Sequence, residues 1–299
     1  MKIPNGKKIA MFRCCMTSVG LKQYECSANA VLRELGIEFS DIKEFNCCGY
    51  PLRNLSFKAY LIASSRNLAL AEKEETDILT FCNCCYGSIK HAEHILNENE
   101  QARDEINAAL GKEGLHVEGT TRTRHFLEFL NTEIGVEGIK SRIKRPFSGL
   151  KVAVHYGCHI LRPKKVVGFG ETFPPLRFDA LVEATGATSI TWTGKEECCG
   201  SPLLGINDEL SMDLTEKKLL KAARGGAEMM CVTCPYCQIQ LDRVQKTINA
   251  DRKNVPSIPS LLYPQLLGLA MGLSPEVLGI DLNAIRSNAE HYLRVVSQA

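Results

Sequence analysis

Fourteen cysteines stand at positions 14, 15, 26, 47, 48, 82, 84, 85, 158, 198, 199, 231, 234 and 237, and their order repeats. An anchoring cysteine, an adjacent pair followed by glycine, and a Cys-x-x-Cys occur first as Cys15, Cys47-Cys48-Gly49 and Cys82-x-x-Cys85. They occur again as Cys158, Cys198-Cys199-Gly200 and Cys234-x-x-Cys237. Anchor and pair are separated by 31 and 39 residues, pair and Cys-x-x-Cys by 33 and 34. Four thiolates can hold zinc tetrahedrally, so zinc is the plainest metal for two Cys-x-x-Cys motifs. The adjacent pairs fit zinc poorly, because consecutive side chains diverge and suit a larger polynuclear centre. Five thiols per half also exceed the four that a zinc site or an ordinary cubane uses. Iron-sulfur clusters absorb that surplus, and a glycine after each pair lets backbone approach inorganic sulfide closely. Structural or dithiol redox roles stay open beside both metals.

The composition narrows the setting for this chemistry. A chain of 299 residues with 44% hydrophobic residues can bury a large core, which excludes disorder and a minimal disulfide scaffold. With 36 Lys and Arg against 34 Asp and Glu, the net charge of +2 lacks the bias of a protein that grips nucleic acid. Met1 to Lys8 is polar and basic, and Ile9-Ala10-Met11-Phe12 is too short for the apolar region of a signal peptide. A reducing, cytoplasmic compartment follows, where thiols serve metal or redox chemistry. The apolar run Leu261 to Leu273 is interrupted by Pro264 and falls short of the roughly 20 residues that span a bilayer. It reads as a buried or partner-facing helix.

The elements that must position the cysteines repeat with them. Lys8 to Phe12 before Cys15 matches Lys151 to His155 before Cys158, and both read as buried strands delivering a ligand from their C-terminal ends. Asp77 to Phe81 and Glu228 to Val232 are strand-like runs, each feeding a Cys-x-x-Cys that opens a helix. Helical spacing of apolar residues marks Glu25 to Leu35, Lys58 to Glu74, Leu210 to Ala223 and Gln238 to Ile248. Alternating strand and helix, twice over, predicts an α/β protein of two related domains with parallel sheets and pseudo-twofold symmetry, its sites at strand ends. The boundary is expected in the polar, glycine-interrupted stretch 97 to 149, giving domains 1–145 and 146–299.

Taken together, these motifs resemble the cysteine-rich CCG domain, and two such domains in one chain are similar to the B subunit of heterodisulfide reductase. Tyr156-Gly157-Cys158-His159, Cys234-Pro235-Tyr236-Cys237-Gln238 and Gln265-Leu266-Leu267-Gly268-Leu269-Ala270 strengthen the likeness, which covers nearly the whole chain. It implies Rossmann-like domains and two noncubane [4Fe-4S] clusters, each held by five cysteines. Carried over, the first would use Cys15, Cys47, Cys48, Cys82 and Cys85, and the second Cys158, Cys198, Cys199, Cys234 and Cys237. Either Cys14 or Cys15 fits the first anchor by spacing alone. Cys15 is preferred because, like Cys158, it lies seven residues beyond the lysine that starts its strand. Cys26 and Cys231 read as buried small hydrophobes; Cys14 and Cys84 must sit near a cluster.

The resemblance also implies a reaction, reduction of the coenzyme M-coenzyme B mixed disulfide, with the clusters facing each other across the substrate cavity and one electron passed to each sulfur. Electrons would come from a ferredoxin-like cubane iron-sulfur subunit and, through it, from a flavin-containing electron-bifurcating subunit. Because those substrates carry sulfonate and phosphate groups, Arg162, Lys164 and Lys165 after Cys158-His159 are the leading anion-binding candidates, with Arg53 a weaker one. His155 and His159 are placed to donate protons or hydrogen bonds near the second cluster. Solvent-facing lysines, a surface salt bridge for Arg53 and a sulfur-directed donor for His159 are the competing readings. His91, His94 and Tyr263 read as helix surface or packing. The Leu-rich run after Tyr263 would either dock the electron-supplying subunit or pack within the chain. Related tandem CCG subunits acting in thiol-driven fumarate reduction, succinate, glycolate or lactate oxidation, or sulfur oxidation would share all of these features.

Overall fold

The computed structural model describes residues 8–169 and 175–294, so most of the polar N-terminal stretch lies outside the described residues. From the N-terminus the chain forms β1 (Lys8–Phe12), α1 (Cys15–Gly20), α2 (Lys22–Glu34), α3 (Phe57–Lys73), β2 (Thr76–Thr80), α4 (Asn83–Glu98) and α5 (Glu100–Leu110). Then come β3 (Thr123–His125), α6 (Phe126–Phe129), α7 (Gly135–Lys140), β4 (Lys151–His155), α8 (Lys164–Val167), α9 (Arg177–Glu183) and β5 (Thr188–Ser189). The last part holds α10 (Asp208–Arg224), β6 (Met229–Val232), α11 (Pro235–Ile239), α12 (Gln245–Asp251), β7 (Ser260–Leu262), α13 (Tyr263–Ala270) and α14 (Pro275–Leu278). A π-helical turn over Gln240–Val244 joins α11 to α12, so the helix expected from Gln238 is longer and locally widened.

The strands assemble as two parallel sheets of the same plan. One has the order β1-β2-β3, and Ser40 adds a parallel bridge to Ala10 on the free side of β1. The other has the order β5-β4-β6-β7. Lys8 pairs with Thr76 and Phe12 with Thr80; Val152 pairs with Met229 and His155 with Val232. The first strand of each repeat therefore lies beside the strand that feeds the Cys-x-x-Cys. β1, β2, β4 and β6 are buried apart from Lys8, Asp77 and Lys151, as parallel strands covered on both faces must be. α3 and α10 start on the same device, a side-chain cap: Ser56 Oγ accepts from the Ala59 amide and Asn207 Oδ1 from that of Leu210.

Packing divides the chain into two compact units that are discontinuous in sequence. The first comprises residues 1–15, 36–129 and 159–169; the second comprises 16–35, 130–158 and 170–299. Set against the expected domains 1–145 and 146–299, residues 16–35 and 130–145 pack in the second unit and residues 159–169 in the first. In the second unit α2 lies against α13 and α14. Its buried positions Gln23, Tyr24, Ser27, Ala28, Val31 and Leu32 form one helical stripe. Every residue of α13 is buried, so the Leu-rich run packs within its own chain and offers no docking face. The Tyr263 hydroxyl donates to the Leu181 carbonyl at 3.0 Å, a packing role as expected. No helix among the described residues is long and apolar enough to cross a membrane.

The Tyr24 hydroxyl donates to the carbonyl of Thr233, immediately before Cys234. Tyr24→Phe leaves that buried carbonyl short of a donor, and we expect a loss of about 1–3 kcal/mol, read as a lower denaturant midpoint at unchanged slope. An unshifted midpoint would show that α2 is held by its apolar stripe alone.

Candidate metal centres

Parallel strands deliver the cysteines. In the first unit β1 and β2 end side by side at Phe12 and Thr80, and the chain continues from them into Cys14-Cys15 and Cys82. Cys85 follows one turn into α4, while Cys47 and Cys48 come from the loop before α3. Six thiols form a connected set there. Cys15 meets Cys47, Cys47 meets Cys48, Cys48 meets Cys85, and Cys14 contacts Cys15, Cys82 and Cys85. The sulfurs of Cys14, Cys82 and Cys85 lie within 4.8 Å of one another.

The second unit repeats this with five thiols. Cys158 meets Cys198, Cys198 meets Cys199, and Cys199 meets Cys237, which also contacts Cys234. Cys15 touches the first member of its pair as Cys158 touches the first member of its own. The two positions are therefore equivalent, and Cys14 is an extra thiol where the second repeat has Gly157. No cysteine among the described residues is in a disulfide.

The loop after each pair is built to face anions. Gly49 adopts φ 80° and Gly200 φ 97°, and each opens a short 3-10 turn, Tyr50–Leu52 and Ser201–Leu203. The left-handed turn aims successive amides at the sulfurs, a backbone nest. The Gly49 amide acts on Cys47 and the Tyr50 amide on Cys48; the Gly200 and Ser201 amides act on Cys198 and Cys199. Carbonyls of the pairs are tied to the following helix, with Ser64 Oγ donating to Cys48 O at 2.5 Å and Thr215 Oγ1 to Cys199 O at 3.0 Å.

Within each set the thiols shift one another in opposite directions. Hydrogen bonds from Cys47 and then Cys85 hold the Cys48 thiol well below its ordinary range. Cys158 and then Cys199 do the same for Cys198. Their donors move the opposite way: Cys47 is pushed up mainly by Cys15, and Cys158 mainly by Cys198. Crowded thiols resist ionising together, and a bound cation is what allows every sulfur to serve as a thiolate ligand. Six and five thiols exceed the four that zinc uses, and their number and softness fit iron-sulfur binding.

The two histidines part company. His155 ends β4 in the second unit, 1% exposed, with a ring nitrogen within 4.8 Å of the Cys199 and Cys237 sulfurs. Burial, with the Lys218 charge adding to it, keeps its imidazole neutral. His159 follows Cys158 directly in the chain, and packing assigns it to the first unit. There it lies edge-on to the Tyr50 ring at 5.0 Å, with Nδ1 3.8 Å from the Cys84 sulfur. Gly87 makes this possible, since a Cβ there would come within 3.0 Å of the His159 carbonyl. The Tyr86 hydroxyl donates to the Val167 carbonyl and fastens the far end of the same segment.

Arg162, Lys164 and Lys165 ride on that segment and are exposed in the first unit. Arg53 is half-buried, its guanidinium 5.9 Å from the Tyr60 ring centroid. Cys231 is enclosed in the middle of β6, where the first repeat has Leu79, and behaves as the small hydrophobe expected. Cys26 lies exposed on α2, against the expectation of burial, because it falls off the buried stripe. His94 is exposed as expected, whereas His91 is partly enclosed and its Nδ1 lacks a partner.

Two features escaped the sequence reading. Lys218 on α10 is buried behind the second thiol set, and Asp179 gathers Tyr156, Ser189 and Lys195 at 2.8, 2.6 and 2.8 Å. Tyr156 precedes Gly157-Cys158, so the Asp179 cluster fixes the strand end that presents Cys158.

The cysteine-rich domain family CCG matches residues 9–90 and 152–242, one match per repeat. The B subunit of a ferredoxin/F420H2-dependent CoB-CoM heterodisulfide reductase from Methanosarcina acetivorans is 38% identical over 284 residues, covering 94% of each chain. The 8-methylmenaquinol:fumarate reductase membrane anchor subunit of Wolinella succinogenes is 35% identical over 280 residues, covering 93% of this chain and 97% of that one. Among solved structures, a hypothetical protein from Helicobacter pylori aligns at TM-score 0.77 and 20% identity, which speaks to fold alone. The alignment covers 96% of this chain and 54% of that one.

Proposed function

The chain belongs to the cysteine-rich CCG domain family, and on that footing we propose that it is the disulfide-reducing iron-sulfur subunit of a heterodisulfide reductase complex. Its reaction would convert the coenzyme M-coenzyme B disulfide, two electrons and two protons into two thiols. The observation that carries the reading is the duplicated thiol set, each delivered from the ends of parallel strands. When bound, two noncubane [4Fe-4S] clusters supply one electron apiece and Lewis-acidic iron for the thiolate products. Cys15, Cys47, Cys48, Cys82 and Cys85 hold the first cluster in this reading. Cys158, Cys198, Cys199, Cys234 and Cys237 hold the second, with 1–145 and 146–299 as the two repeats.

The chain's other residues divide the remaining work. His159, only half-enclosed, is the better proton donor; His155 is sealed from solvent and serves as a hydrogen-bond donor. Arg162, Lys164, Lys165 and Arg53 supply positive charge for a sulfonate or phosphate. Electrons enter from a ferredoxin-like cubane partner, itself fed by a flavin-containing electron-bifurcating one, in the cytoplasm.

Anaerobic purification with iron and sulfide analysis, followed by turnover of the mixed disulfide with reduced viologen, tests the reading. Two thiols per disulfide and two four-iron clusters per chain are expected. A colourless zinc protein would overturn it. Full clusters without thiol release would overturn the substrate and favour another acceptor, the reading to which the fumarate reductase relative points.

A further inference from the structure

The two thiol sets repeat each other, but their surroundings do not. At matching positions of the repeats the first has Phe12, Cys14 and Asn67 where the second has His155, Gly157 and Lys218. The last equivalence is structural as well as numerical. Asn67 and Lys218 each follow by three residues the hydroxyl that bonds the pair's carbonyl, Ser64 or Thr215.

Lys218 is 1% exposed, and its Nζ donates to the Gly194 carbonyl at 2.6 Å and the Glu197 carbonyl at 3.1 Å. It stands 5.4 Å from the Trp192 ring centroid. Two carbonyls and an aromatic face are partners for an ammonium. The nearby Glu197 carboxylate is occupied by Lys221 at 2.5 Å. Lys218 thus keeps an unneutralised charge in a low-dielectric setting, where charges act strongly. The buried His155 has the Lys195 backbone beside it and a ring nitrogen within 4.8 Å of the Cys199 and Cys237 sulfurs. A ring N–H this close to two sulfurs is placed to donate to sulfur that carries negative charge. In the first unit Phe12 donates nothing, the Asn67 amide is spent on the Cys47 and Ala63 carbonyls, and Cys14 adds a thiol.

We infer that Lys218 and His155 set the reduction potential of the second centre above that of the first, making the second the electron sink of the pair. An added electron makes a cluster more negative, and a fixed cation and an N–H donor stabilise that state. The exchanges of Phe12 for His155 and of Asn67 for Lys218 act in the same direction. The inference rests on the iron-sulfur reading above.

A spectroscopically monitored redox titration of the full, anaerobically loaded chain tests it. Two midpoints are expected in the unmodified protein, the more positive being the one absent from Cys199→Ser. Lys218→Gln, which keeps a donor without the charge, lowers that midpoint by the equivalent of at least tenfold in the one-electron equilibrium, about 59 mV, and leaves the other in place. Lys218→Arg keeps it near the original value, and His155→Phe lowers it. Iron and sulfide are counted first, and their absence overturns the cluster reading and this inference together. With both clusters present, a single shared midpoint, a reversed order, or a Lys218→Gln titration equal to the original overturns the asymmetry alone. Should Lys218→Gln fail to assemble, the order of the two midpoints and the His155→Phe shift decide.

Discussion

Cys48→Ser is expected to halve the iron and acid-labile sulfide of the purified chain, and Cys199→Ser to remove the other half. Each of these sulfurs is the internal link of its set: Cys48 joins Cys47 to Cys85, and Cys199 joins Cys198 to Cys237. Serine preserves the size but offers a hard oxygen that stays protonated where a thiolate is needed. Because the proposed reaction needs two electrons for one S–S bond, losing either centre should cut disulfide turnover by more than about 100-fold, beyond the usual loss from a residue that merely supports a ligand. Cys26→Ser is the control, since Cys26 is exposed on α2 and contacts neither set, and its iron should match the unmodified chain. Metal analysis decides. Equal iron in Cys48→Ser and the unmodified chain would remove Cys48 from the ligand set, and loss of both centres in Cys26→Ser would discredit the whole assignment.

The thiol sets were legible in sequence because the elements that place them are themselves repeated. A buried strand ends where its partner strand ends, so the thiols after β1 and β2 converge by register, Cys14 meeting Cys82, and those after β4 and β6 do likewise. What sequence could not reveal is which sheet a helix covers. The stripe Gln23, Tyr24, Ser27, Ala28, Val31 and Leu32 marks α2 as amphipathic but is indifferent to its partner, and packing places it against α13. The same indifference hides where the segment after Cys158 packs: His159 and the cations beyond it fall in the first unit. The enabling feature was Gly87, which reads as an ordinary helix glycine until the His159 carbonyl is seen against it. Lys218 was missed for another reason. Lysine defaults to the surface, and only the Gly194 and Glu197 carbonyls, invisible in a pattern, disclose a buried one. Burial also misled at Cys26, where a cysteine on an amphipathic helix was assigned to the wrong face.

The glycine after each pair carries the second large prediction. Gly200→Ala is expected to cost about 2–5 kcal/mol and to deplete the second centre selectively. Two costs combine: a left-handed backbone at φ 97° costs a non-glycine residue about 1–2 kcal/mol, and overpacking adds about 1–3 kcal/mol. The second cost is unavoidable because a Cβ at Gly200 would stand 2.5 Å from the Ser211 carbonyl, backbone of α10 rather than a side chain able to swing aside. Relief requires either α10 or the Cys-Cys loop to retreat. Either motion strains the bonds from Ser211 Oγ to the Gly200 carbonyl and from Thr215 Oγ1 to the Cys199 carbonyl, both 3.0 Å, which hold the loop in place. It also turns the Gly200 and Ser201 amides away from the sulfurs they face. Gly49→Ala repeats the argument in the first unit, with φ 80° and a closest approach of 2.8 Å to the Tyr60 carbonyl, so its loss should be the smaller of the two. Thermal midpoints and iron content of the two variants provide the check. A Gly200→Ala chain that retained both centres and its original midpoint would show that the loop can relax without α10, and the nest would then have no part in holding the thiolates.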